Sequence, residues 1–276
     1  MKTILLPTDF SETAKNSAIY AAHLAKAIGA QSLVLFNAYS IPLATEMSWA
    51  LLQTEELKQA SEENLETFKT MVQSFTGPQV QVSTRSVFGF LAESIGTVAQ
   101  EVKADLIVMG ITGGGKLEEV LIGSNTLHVI DHTEVPVLIV PPDALWQPIE
   151  NIGWACDYKN VIQTTPANAI TKVVALLQAK LKIMHNSPNP QAFDPDIFHN
   201  NVVVAEMFSK LHPEFVHTAE GTLTNAIDGF VKQHNIQLLL AIPKKHSWIE
   251  SLFKPSHTRA LAFHSHVPLL CVKAIG

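Results

Sequence analysis

The chain has little cysteine, little charge, few aromatic residues and no long apolar run. Cys156 and Cys271 are the only cysteines in 276 residues, and their spacing forms neither a C-x-x-C redox pair nor a metal knuckle. Both lie in apolar, strand-like stretches and are expected as buried thiols. Charged residues make up 16% of the chain and the formal net charge is −6, so no broad basic surface is available for nucleic acid or an anionic membrane. No stretch has the apolar length of a membrane span. The opening MKTILLPTDF carries one lysine and an apolar run cut short by Pro7 and Asp9. That run is too short for the core of a secretory leader, and the expected location is cytoplasmic. No nucleophile, base and orienting acid stand in a legible arrangement, since Ser11 and Ser124 read as helix starts and Asp9 and Glu12 have no evident catalytic partner. No catalytic residue is assigned. The twelve histidines assign no metal site either, because the tightest pair, His264 and His266, falls at a solvated helix end before the last strand.

What the chain does have is apolar bulk and repetition. At 47% hydrophobic it can bury a sizeable core, and its length suits two domains of ordinary size. ILLPTD (4–9) returns as IGWACD (152–157), and SLVLFNA (32–38) as KLKIMHN (180–186), at one offset. At a smaller offset, FGFLAESIGTVAQEVKADLIVMG (88–110) returns as EGTLTNAIDGFVKQHNIQLLLAI (220–242), and VPVLIV (135–140) as VPLLCV (267–272). The second copy has therefore lost residues in the middle, where the first carries the charged segment around 47–72.

In the first copy, strands are expected at 4–6, 33–36, 80–87, 106–109 and 137–140. Helices are expected over 11–28, opened by Ser11 and closed by Gly29, then up to about residue 75, over 91–102 and over 124–132. Strands apolar on both faces, alternating with helices, predict an α/β fold. Two tandem doubly wound, Rossmann-like domains follow, at 1–145 and 146–276, each a five-stranded, mainly parallel sheet with helices on both faces. PPDALWQPIE (141–150) reads as a short linker.

The segment VMGITGGGKLEEVLIGSN (108–125) comes close to a Walker loop but places Leu117 where that loop needs a magnesium-binding hydroxyl. The glycines still suit a phosphate: Gly110 ends a strand, Gly113 to Gly115 free the backbone, and Gly123-Ser124-Asn125 opens a helix whose positive end attracts anions. The turn Pro7-Thr8-Asp9-Phe10-Ser11 and the end of the second strand, Asn37 to Tyr39, lie at the same edge of an open sheet, where such folds bind ligands.

With Gly110, Gly113, Gly123 and Ser124 spaced G-x2-G-x9-G-S, the chain resembles the universal stress protein family, whose nucleotide-binding members carry that spacing. The likeness extends over both copies, including PTDFSETAKNSAIYAAHLA (7–25), DLIVMG (105–110) and VPVLIV. It implies a cytoplasmic stress-response protein that binds ATP, with or without Mg²⁺, in its N-terminal domain and acts as a nucleotide-dependent regulatory or interaction module on unknown protein partners. The alternatives are a scaffold with a vestigial nucleotide site and a weak ATP hydrolase.

By resemblance, Pro7, Thr8 and Asp9 border the adenosine and phosphates, with Asp9 near the ribose or a phosphate-bound metal. The backbone of Ala38 lies by the adenine, and Met109 and Gly110 support the ribose. Gly113, Gly123, Ser124 and Asn125 meet the phosphates, although an apolar residue is common in the family where Asn125 stands. The second copy is degenerate, with Ile242, Lys245 and Pro255 at the glycine positions and only Ser256 retained. Near its crevice, His185, His246, Lys244 and Lys245 suit either an anion other than ATP or a solvated loop. Single-domain members pair their last strands across a dimer, which implies an intramolecular pseudo-dimer here and leaves a further homodimer open.

Overall fold

The apolar run between Lys2 and Asp9 forms β1 (Thr3–Pro7), and all five of its residues are buried, as expected of a central strand covered on both faces. The computed structural model describes residues 2–41, 50–111, 124–158, 160–187, 195–219, 221–243 and 267–274, with backbone alone at 50–53 and 124. The described chain divides into two units, the first ending at Trp146 and the second beginning at Gln147.

In the first unit β1 leads into α1 (Glu12–Ala27), whose N-cap Ser11 accepts a hydrogen bond from the Ala14 amide, satisfying one of the free donors of the first turn. Gly29 at φ 61° turns the chain out of the helix, a conformation glycine adopts without a Cβ clash. Then follow β2 (Ser32–Tyr39), α2 (Ala50–Thr76), β3 (Gln81–Phe88), α3 (Leu91–Glu101), β4 (Leu106–Gly110), α4 (Ser124–Asp131) and β5 (Val137–Val140). The strands pair in parallel in the order β3-β2-β1-β4-β5. Two crossovers run to one side of β1 and two to the other, so right-handed connections put α1 and α2 on one face and α3 and α4 on the opposite face. The second strand reaches Tyr39 rather than stopping at Phe36, because β3 pairs with it along its full length, from Ser32↔Gln81 to Tyr39↔Phe88.

The second unit repeats the order as β8-β7-β6-β9-β10, also parallel. Its elements are β6 (Asn151–Ala155), α5 (Val161–Thr164), α6 (Ala167–Leu177), β7 (Lys180–Asn186), α7 (Pro195–Met207), β8 (Glu214–Thr218), α8 (Leu223–Gln233), β9 (Leu238–Ala241) and β10 (Leu269–Cys271). Where α1 is one helix, α5 and α6 are broken at Thr165-Pro166. Thr165 is extended, since proline disfavours a helical residue before it. The 13-residue α7 stands where α2 has 27 residues, so the middle helix is shortened in the second copy rather than lost.

The cores also trade volume. Gly153 in β6 occupies the repeat position of Leu5 in β1, and a Cβ there would meet Phe230 at 2.5 Å. In α8, Phe230 occupies the repeat position of Val98 in α3. Leu5, Val98 and Phe230 are all buried, so a large strand residue with a small helix residue in one unit becomes the reverse in the other, which keeps packing dense.

The stretch 141–150 is not a free linker throughout. Asn16 Nδ2 donates to the carbonyls of Pro141 and Ala144 at 3.0 and 3.2 Å, and Trp146 packs edge-on against Tyr20 at 5.0 Å between ring centroids. Both cysteines are buried. No helix among the described residues is long and apolar enough to cross a membrane.

Candidate functional site

In a doubly wound sheet the loops leaving β1 and β4 part to opposite faces and open a crevice at the carboxyl ends of the strands. The first unit has a cleft of about 480 Å³ there. Pro7, Thr8, Asp9, Ala38, Met109, Gly110 and Asn125 all line it, so the structure brings together every sequence-selected residue whose side chain or glycine backbone is described. Ser124 is the first residue of α4. Gly113 and Gly123 lie outside the described residues.

Local chemistry fixes the strand end. Thr8 N donates to Phe36 O at 2.8 Å, and Asn37 Nδ2 donates to Thr8 O at 2.8 Å. Ser61 Oγ in α2 in turn donates to Asn37 Oδ1 at 2.7 Å. Asn37 therefore ties the ends of β1 and β2 to the helix above them. Asp9 is exposed, and its Oδ1 accepts from the Ser11 amide at 3.1 Å and the Ser11 hydroxyl at 2.6 Å, closing an Asx turn into α1. Between them Phe10 holds φ 64°, an uncommon conformation for a bulky residue. Its ring meets Phe68 of α2 edge-on at 5.7 Å, and its amide donates to Thr8 Oγ1 at 3.0 Å.

Gly110 has a reason to be glycine within the fold. A Cβ there would sit 2.7 Å from the carbonyl oxygen of Thr13, so the first turn of α1 rests directly on the end of β4. Met109 and Gly110 are buried, whereas Asn125 and His128 are exposed on α4. The wall opposite β1 consists of Gly89, Phe90, Leu91, Ala92 and Glu93, which sequence reasoning had not selected. Phe90 is 52% exposed. This wall is set by strand order, which no local pattern reveals. His128 was findable from its spacing of three from Asn125, which places both on one face of a helix.

The second unit keeps the frame and changes the groups on it. Cys156 N donates to Met184 O at 2.8 Å, the counterpart of the Thr8 to Phe36 bond. Tyr158 holds φ 53° at the repeat position of Phe10. Ile242, at the position of Gly110, is 2% exposed. Burial pushes the Tyr158 hydroxyl well above its usual pKa, the nearby Cys156 adds to this, and a hydrogen bond from Asn201 opposes it. His185 is buried and lines this unit's crevice, near whose mouth the sequence placed it. Lys244, Lys245, His246, Pro255, Ser256, His264 and His266 lie outside the described residues, among which no group of three or more His, Cys, Asp or Glu could hold a metal ion.

The model of the Universal stress protein family matches residues 1–141. Universal stress protein MJ0531 of Methanocaldococcus jannaschii is 36% identical over 142 residues, which is 50% of this chain and 81% of that protein. Universal stress protein G of Escherichia coli O157:H7 is 31% identical over 143 residues, 50% of this chain and 98% of that protein. Among solved structures, a universal stress protein from Archaeoglobus fulgidus aligns with 99% of this chain and 96% of its own at a TM-score of 0.71. Its identity of 21% makes that a likeness of fold, running through both units. With a family match over more than half its length, set on the strand order and crevice described above, the chain belongs to the universal stress protein family.

Proposed function

We propose that the N-terminal unit binds ATP and that the protein serves as a nucleotide-dependent regulatory or interaction module. The observation that supports this most is the convergence of Asp9, Ala38, Met109, Gly110 and Asn125 on one cleft at the place where open α/β sheets take ligands. Its volume of about 480 Å³ suits a small molecule. In this reading the adenine lies by the backbone of Ala38, the ribose by Met109, and the phosphates at the positive end of α4. A phosphate-bound magnesium ion would find its protein ligand in Asp9, through the carboxylate oxygen that Ser11 does not engage, and would supply charge neutralisation of the phosphates. Any hydrolysis is secondary to binding.

A second reading has its own observation. Gly110 is required by the Thr13 contact and Asp9 caps a turn, so both residues also suit a scaffold whose nucleotide site is vestigial. Titration calorimetry of the full chain with ATP and Mg²⁺ separates the two. The ATP reading expects about one site per chain, lost in Gly123→Pro, which removes an amide donor, and retained in Asp157→Ala. Absence of heat with ATP leaves the scaffold reading, and two sites per chain overturns the asymmetry between the units.

A further inference from the structure

The C-terminal unit has a crevice of its own, about 900 Å³, at the carboxyl ends of β6 and β7. It sits on the strand-end frame already described, but its polar groups differ in kind. His185 stands at the repeat position of Asn37. It is 8% exposed and lines the crevice, with Nδ1 2.9 Å from the carbonyl oxygen of Cys156. A carbonyl only accepts, so Nδ1 carries the proton, and in the neutral ring Nε2 is left as an acceptor. No described residue hydrogen-bonds Nε2. The ring is held by Tyr158, whose centroid is 4.7 Å away. Nε2 is not among the sealed, unmet polar atoms of the described residues, so it stays open to the crevice, and a donor on a bound molecule takes the place of water there.

The neighbouring groups narrow the ligand. Asn160, Ser187 and Asn200 line the same crevice, and each both donates and accepts. Asp157 and Asp196 also line it, and no described lining residue is lysine or arginine, so the charges present oppose a phosphate while their oxygens accept from hydroxyls. Ile197 and Leu223 add an apolar wall, with Leu223 39% exposed. Mixed donor–acceptor groups beside apolar surface match a ring whose hydroxyls both give and take hydrogen bonds and whose carbon face is apolar.

We propose that this crevice is a second ligand site, for an uncharged ring bearing vicinal hydroxyls, with His185 Nε2 accepting a hydrogen bond from one of them. The ring belongs either to a nucleoside or to a free monosaccharide, and the proposal stands whether or not the N-terminal unit binds ATP. The test is methyl NMR of the full chain labelled at Met, Ile and Leu, titrated separately with adenosine, D-ribose, D-glucose and ATP to ~10 mM, since sites of this kind span the millimolar range. Signals of Met184, Ile197 and Leu223 report this crevice alone. A response to adenosine but not to the sugars identifies a nucleoside, and a response to a sugar identifies a monosaccharide. His185→Phe keeps a flat ring without nitrogens and is expected to weaken binding at least roughly tenfold. Asn200→Leu, on the crevice wall, serves if that variant fails to fold. Silence of the three signals to every compound overturns the proposal, as does an equal response to ATP and adenosine or binding undiminished in the folded variants.

Discussion

At the carboxyl end of its first strand each unit makes the same turn, and beyond it the two diverge. Phe10 and Tyr158 hold left-handed backbone, each secured by a partner on the next long helix: Phe68 edge-on in one unit and Asn201 Nδ2 donating to the hydroxyl at 2.8 Å in the other. After the turn, α1 begins at once in the first unit and presses its Thr13 carbonyl onto the end of β4, so residue 110 has to be glycine. In the second unit the broken α5 and α6 replace that continuous helix, and the equivalent position holds a buried isoleucine. The glycine is thus coupled first to how α1 begins. What separates the units is the chemistry laid on a shared backbone frame: both keep an Asp after the first strand, Asp9 and Asp157, but where one has Asn37 at the end of the second strand the other has the buried His185.

The largest test of that coupling is Gly110→Val. Its Cβ collides with backbone rather than with a movable side chain, and a loss of about 3 kcal/mol is expected in denaturant unfolding. Ile242→Val, which only trims a methylene, should cost about 1 kcal/mol. Similar effects of the two would break the comparison. The exchanged core pair gives a second test. Gly153→Leu should lose about 2 kcal/mol by overpacking against Phe230, and adding Phe230→Val should return at least about 1 kcal/mol of that. A strictly additive cycle would mean that the ring does not fill the space of the absent side chain.

Smaller effects sharpen the shared turn. At Phe10, substitution by glycine should leave the protein about 1 kcal/mol more stable than substitution by alanine, the reverse of the usual order, because only glycine is free of strain at this φ. Alkaline titration should separate the units most gently. Burial pushes the Cys271 thiol up from 9.0 to about 12, and burial also raises Tyr20 and Tyr158 from 10.0. A raised folded pKa means that the proton is held more tightly in the native state. Stability is therefore whole below about pH 9 and falls as pH rises toward 12, first in the second unit, which carries both Cys271 and Tyr158. Cys271→Ala should flatten the early part of that fall in a pH-dependent thermal melt.

Much of the fold was legible because apolar periodicity and caps are local. Ser11, Gly29 and the buried run of β1 stand where their pattern requires. The repeat made the second unit readable even through the Gly153 and Phe230 exchange, which preserves volume but not identity. On the site, Asp9, Ala38, Gly110 and Asn125 were reachable because strand ends and helix starts follow from the same pattern. Phe90 and Glu93 were not, since they reach the cleft only through the pairing of β2 with β3. Nor was the packing reason for Gly110, because a carbonyl 2.7 Å from an absent atom belongs to the contact between α1 and β4. His185 was noticed as a candidate, but its burial and the Cys156 carbonyl that fixes its proton needed coordinates.

The anchoring of residues 141–146 by Asn16 and Tyr20 decides where the chain can be cut. A fragment ending at residue 145 would discard the indole of Trp146 and leave the Tyr20 ring without the partner it meets at 5.0 Å. The exposed residues next along the chain are Gln147 and Pro148, and Ile149 is already buried. Between Trp146 and the buried Ile149 a protease therefore finds only two exposed residues, and one of them is proline. To release an intact N-terminal half, a cleavage site has to be written in after Trp146, with the tryptophan kept on the N-terminal piece.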